Sequence, residues 1–381
     1  MFGEPRLSRP AVCLALLAAA CSGGTPHPAS SGASPTPTMS TASPSGPASL
    51  ITSLPVACTE SSPGADATVA FVAQGRAWAA TPGGAGLTCL FDAPDPGPFL
   101  WGPRADRVAL GGLAVKGVGS RATRPPGSTE PTTLSWGRPT GLAIVFVDST
   151  GRHLEKAAVG STRITDISDL EGATYADVVY HPSGLAIAFV DRRSGSDEIT
   201  MSSNTGAQPK RLVFTNMGTR FGPLAFDPGG VSLYYGARLR DGTSMLAAYD
   251  LNTGVSNEHL WQGREGVLTI LPSPAGSAGA VLDVGSGCAD RRALFTRLNG
   301  DSGSPLLPDA GGPTTALGWL GPGQVLVAEG GCTGPIDLFV VTIGVGPADL
   351  LVRGVDRAAV RVPEPTPPPA LPDIGVPSGF A

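Results

Sequence analysis

Three pairs of arginines, Arg192 with Arg193, Arg238 with Arg240 and Arg291 with Arg292, stand on polar segments roughly one repeat apart in a chain of net charge −5. A guanidinium presents five donors in a planar fork, so paired arginines suit carboxylates or phosphates held in bidentate fashion. They form a candidate binding face. The other reactive set is the six cysteines, Cys13, Cys21, Cys58, Cys89, Cys288 and Cys332. Thiols this far apart suit lipidation or oxidation in pairs, whereas a structural zinc site draws on closely spaced ligands. The chain has no CxxC and only four histidines, His27, His153, His181 and His259, so no metal site is expected.

No GxSxG, HExxH or Walker loop is present, and Gly117-Val118-Gly119 leads into a proline-rich loop rather than the helix a dinucleotide site needs. Asp290 and Glu329 are an acid pair that would have to meet across a channel, but acids at turns and hairpins are ordinarily solvated. No catalytic residue and no cofactor is expected. A pI near 5.4 argues against a nucleic-acid partner.

The N-terminus carries a specific signal. Arg6 and Arg9 precede an apolar run at 11–20 that is too short to span a bilayer, and LAAACSGG at 17–24 resembles a bacterial lipobox. Residues 1–20 then read as a lipoprotein signal peptide, with Cys21 the lipidated first residue of the mature chain. Residues 22–55 hold no charged side chain and consist largely of Ser, Thr, Pro, Gly and Ala. Such a stretch cannot build a core, and 21–55 is expected to be a disordered tether reaching roughly 30 Å from the membrane. The expected location is the cell membrane, lipid-anchored on its extracytoplasmic side. The chain has 23 Arg against 3 Lys, a bias of GC-rich coding that points to an actinobacterial source.

Between the tether and a proline-rich tail at 363–381 the chain repeats. Trp101, Trp136, Tyr180, Phe226, Pro272 and Trp319 each precede a Pro/Gly turn and a short apolar run, at spacings of 35, 44, 46, 46 and 47. That period is the one expected of a four-stranded propeller blade. A small sheet with two apolar faces cannot bury both alone, so blades stack radially. The fold expected is all-β, a β-propeller over 56–362 acting as a monomeric domain. Seven blades are favoured, with six the alternative. Thr68 to Ala73 has no first strand before it, and Val355 to Val362 is placed to supply that strand and close the ring.

HPSGLAIAFVDRRSGSDEITM from His181 and FDPGGVSLYYGARLRDGTSMLAAYDLNTG from Phe226 resemble the propeller repeat of the TolB-like family. The likeness covers 66–362 and is most marked in these two units. It implies a propeller used for binding, without fixing a ligand. TolB-like propellers also precede the hydrolase domain of some serine peptidases, but here little chain follows the last unit. The reading is a membrane-anchored scaffold that binds an envelope protein or an anionic polymer; the alternative is an extracytoplasmic lyase or hydrolase.

Export to an oxidising compartment makes disulfides the default for the four remaining cysteines, which allow three connectivities. Cys58 and Cys89 bracket the first blade, while Cys288 and Cys332 lie at similar places in consecutive units, so those two pairings are expected. In a propeller the hairpins after the second strand and the loops between blades open on one face. That face collects Arg192, Arg193, Asp197, Arg220, Arg238, Arg240, Asp241, Arg264, Asp290, Arg291 and Arg292, and the face of the Pro/Gly turns is mostly neutral.

Overall fold

The computed structural model describes residues 49–373, apart from 94–98, 103–106, 111–113, 118, 120–130, 138–142, 159–162, 169–171, 194, 215–217, 275–278 and 362–367. Cys21, the signal segment and most of the tether lie outside the described residues. The described chain belongs to one unit, Gly46–Ala381. It is all-β, and among the described residues no helix is long and apolar enough to cross a membrane.

Seven antiparallel sheets follow one another along the chain, six of them four-stranded. The first sheet joins Arg357–Val360 to Val69–Ala73, Arg76–Ala80 and Thr88–Asp92. The second, Phe99–Trp101 with Arg107–Leu110 and Ala114–Gly117, has three strands. The third to seventh sheets begin with Thr133–Trp136, Thr174–Tyr180, Arg220–Phe226, Gly266–Pro272 and Thr314–Gly321, each followed outward by its next three strands. The architecture is a β-propeller with six four-stranded blades. Six blades, the alternative read from the sequence, are what form rather than the favoured seven, since the unit ending its first strand at Trp101 pairs three strands among the described residues.

Five of the six repeat anchors end the first strand of a sheet, and Trp319 lies two residues from the end of Thr314–Gly321. The physical basis of the repeat is visible in Ala186–Arg193. Ala186, Ala188 and Val190 pack with Phe221, Leu233 and Tyr235 of the fifth sheet, while Ile187 and Phe189 pack with Val145 and Val147 of the third. Successive side chains of a strand point to opposite faces, so a continuous apolar run is what a strand between two neighbours requires. The other seams are built the same way, the first against the seventh sheet through Phe71, Trp78, Leu326 and Leu351.

The ring closes as expected. Arg357–Val360 runs antiparallel to Val69–Ala73, with Val69 opposite Val360. Closure removes the free edge that Val69–Ala73 would otherwise offer to another chain. Within the stretch read as tether, Leu50 and Ile51 donate their amides to Leu350 and Leu351 at 2.9 and 2.8 Å, and Ile51 is buried in the closing seam. Leu371, in the tail, packs on the seam of the fourth and fifth sheets.

Candidate functional site

Two concave places stand out among the described residues, on opposite faces of the ring. On the Pro/Gly-turn face the ends of the first strands converge on an axial funnel of about 580 Å³. Its wall includes Trp136, Tyr180, Phe226, Trp319, Pro182 and Pro228. Carbon dominates this wall, because Trp136 Nε1 and Tyr180 Oη belong to residues of the funnel yet are themselves shut off from solvent. Arg361 supplies the wall's cation. It donates to the Ala65 carbonyl and lies over the Trp101 ring, 5.7 Å from its centre.

The turns around the funnel are held by local geometry. His181 donates its amide to Ala186 and accepts from Gly184 at 2.8 Å, and Asp227 repeats the pattern with Ser232 and Gly230. Asp227 also uses its carboxylate, accepting from the amides of Ser232 at 2.6 Å and Gly229 at 3.1 Å. An aspartate that caps its own turn in this way makes Asp-Pro-Gly-Gly a rigid corner.

The second place lies on the face of charged hairpins, where the fourth and fifth sheets meet. Asp197, fully buried, accepts from Arg192 Nε at 3.3 Å, from Arg220 Nη1 at 2.8 Å and from the Phe221 amide at 2.9 Å. Asp191, also fully buried, accepts from Arg193 Nε at 2.7 Å. Burial pushes the Asp191 carboxyl up, against the pull of Arg193. The three guanidiniums remain 39 to 56% exposed, and with Thr174 and Gly195 they line an open cradle of about 520 Å³. Two carboxylates taken out of water thus hold three arginines of two blades in fixed directions, with the remaining N–H groups turned to solvent.

The arginine face is therefore built differently from a row of solvated hairpin tips. Asp197, expected at an exposed tip, is buried, because the strand pair carrying it is long enough to carry it beneath Arg192 and Arg220. Arg192 and Arg193 are ion-paired, and Arg292 pairs with Glu265. Arg291 is half-buried; Arg238 and Arg240 are exposed on the neighbouring hairpin. Asp191 opens the polar tip that follows the apolar run 185–190 in the sequence, yet it too is buried.

Asp290 and Glu329 do not form an acid pair. Asp290 takes the hydroxyl and amide of Ser286 and the amide of Gly287, which hold its carboxyl down at about 2. Glu329 accepts the Gly311 amide at 2.6 Å. Among the described residues no group of His, Cys, Asp or Glu has the geometry of a metal site. The cysteines are joined Cys58 to Cys89 and Cys288 to Cys332, with Cα–Cα distances of 5.5 and 5.7 Å. The first ties the strand Thr88–Asp92 to the segment before the first blade, and the second links the sixth and seventh sheets.

No protein-family model and no curated protein matches the chain. Among solved structures, a prolyl endopeptidase matches at 12% identity and a TM-score of 0.51, over 78% of this chain and 50% of that one. An oligogalacturonate lyase in complex with manganese matches at 12% identity and 0.51, over 70% of this chain and 82% of that one. TolB from Acinetobacter baumannii matches at 15% identity and 0.46, over 78% and 68%. Identities this low speak to architecture alone. The chain is a β-propeller.

Proposed function

We propose that this protein is a binding propeller of the cell envelope, held on the extracytoplasmic side of the membrane by a lipid on Cys21 and engaging an acidic envelope protein or anionic polymer. The observation that carries the reading is the cradle of Arg192, Arg193 and Arg220, which two buried aspartates hold open toward solvent where two blades meet. Arginines positioned in advance lose less side-chain freedom on binding than free ones, which favours recognition of an anionic surface. Binding rather than turnover is supported by the fate of the acids considered for catalysis, since Asp290 and Glu329 are both engaged by backbone amides. The LAAAC segment and uncharged stretch behind it support the anchor.

The test is crosslinking with mass spectrometry in the native host, paired with fractionation of a Cys21→Ser protein. The expected results are a crosslinked envelope partner and release of the variant from the membrane fraction. A variant that stays in the membrane rejects the anchor. Absence of any specific crosslink from the anchored wild-type protein rejects the binding function.

A further inference from the structure

We infer that the cradle is a carboxylate site, taking one Glu or Asp side chain of an acidic segment of a partner protein; this rests on the binding function proposed above and specifies its chemistry. The stoichiometry of charge selects the ligand. Three guanidiniums meet two buried carboxylates, so the cluster retains about one positive charge. One carboxylate neutralises it, whereas a phosphomonoester, with nearly two charges at neutral pH, would leave net negative charge beside Asp191 and Asp197.

Geometry agrees. Arg192 and Arg193 each spend Nε on an aspartate and Arg220 spends Nη1, and among the described residues no partner takes the other terminal amino groups. The free edges are planar donor pairs that match the two oxygens of a carboxylate. The lining is mostly polar and the cradle is open, unlike the enclosed, mostly apolar pockets that hold free small molecules. A side chain presented by a larger surface suits it. Thr174, whose hydroxyl donates to the Arg192 carbonyl at 3.2 Å, forms part of the lining, so a larger side chain there would fill the space.

The test measures binding of dye-labelled N-acetyl-hexaglutamate to the purified full-length protein by fluorescence anisotropy at low salt, with an oligomer of glycerol phosphate as the second probe. Hexaglutamate is expected to bind, and Arg193→Gln and Arg220→Gln are each expected to weaken it about tenfold, the scale of one lost hydrogen bond to a charged group. Arg238→Gln, on the next hairpin, should change it less than about twofold. Thr174→Glu removes no arginine and places a carboxylate in the cradle, so it should abolish binding even if an arginine variant fails to fold. Failure of hexaglutamate to bind, or equal binding by wild type and Thr174→Glu, overturns the site. Tighter binding of the glycerol phosphate oligomer overturns the ligand class. These outcomes are distinct from failure of the binding function, because a crosslinked partner docked elsewhere on the ring would leave that function standing without the cradle.

Discussion

His181 Nε2 donates to the carbonyl of Gly230 across the seam between the fourth and fifth sheets, at 2.8 Å, and both residues occupy the Pro/Gly turn of their blade. The donor assignment follows from the partner, since a carbonyl can only accept. Nδ1 is then the acceptor, taking the Ser183 hydroxyl at 2.8 Å and amide at 3.1 Å. The imidazole is fully buried and meets the Phe226 ring edge to face at 4.9 Å. One turn is thereby fastened to the next through a neutral ring.

Gly230 should tolerate no side chain. Its φ is +69°, and a Cβ there would come within 2.5 Å of His181 Nε2. Gly230→Ala is expected to lose at least about 2 kcal/mol, from backbone strain and the displaced ring together. Urea unfolding of variant and wild type measures the difference, and an unchanged midpoint would show that the seam does not depend on this contact.

The same ring sets a pH dependence. Burial holds the His181 imidazole below its ordinary value, against the pull of the Gly230 carbonyl and Asp227. The unfolded chain therefore takes up the proton first, so stability present above about pH 6.5 is lost as the pH falls through the folded value. Between pH 7 and 5 the thermal midpoint of wild type should fall more steeply than that of His181→Gln. Parallel curves would count against it.

Asp283 works in the opposite direction. It is buried on the strand Ala280–Gly285 and accepts the Ala316 amide at 2.8 Å across the seam of the sixth and seventh sheets. Burial raises its carboxyl from 3.8 to about 7, against the Ala316 amide and Arg291. Its contribution is fully present below about pH 4 and is lost as the pH rises to about 7. Asp283→Asn keeps an oxygen for Ala316 and removes the charge, so at pH 8 it should be more stable than wild type by on the order of 2 kcal/mol, with little difference at pH 4. Calorimetry at the two pH values decides it.

The Cys288–Cys332 bond closes a sequence separation of 44 residues between two blades. Restricting the unfolded chain over such a loop contributes about 2–4 kcal/mol. Cys332→Ser should lower stability by that amount. Non-reducing peptide mapping of the exported protein should recover Cys288 with Cys332 and Cys58 with Cys89, and any other pairing would contradict the arrangement.

Removing the chain after Val355 should open the ring. The lost strand, Arg357–Val360, covers Val69–Ala73, and a Cβ at Gly318 would meet Val360 at 2.8 Å, a measure of how closely the seventh sheet packs on it. The truncated protein is expected to aggregate through the exposed edge and lose its cooperative melt. Size-exclusion chromatography and circular dichroism follow this, and a monomer that melts as before would make the closing strand dispensable.

Much of the fold was legible because its causes are local. A Pro/Gly turn demands its φ angles wherever it stands, and a run such as Ile187 to Val190 must be buried on both faces, so the period shows before any contact is known. The pair Cys288–Cys332 follows from equivalent places in consecutive repeats, the pair Cys58–Cys89 from bracketing the first blade, and the closing strand from a first blade that lacks one of its own. That the second sheet pairs three strands among the described residues is not legible in the sequence, since Trp101-Gly102-Pro103 resembles the Trp136-Gly137-Arg138-Pro139 of the next unit, whose sheet has four. Nor could the seams. Tyr180 bonds Ser135, Asp177 bonds Leu224, Trp319 bonds Leu271 and His181 bonds Gly230, at separations of 45, 47, 48 and 49 residues, close to one repeat. The period brings such residues near one another, but which donor meets which acceptor depends on how far each blade is rotated against the next, and side-chain packing sets that rotation. The cradle is the clearest case: Asp191 and Arg193 are neighbours in sequence, but Arg220 reaches Asp197 only because two sheets are docked, and that docking turns scattered arginines into one site.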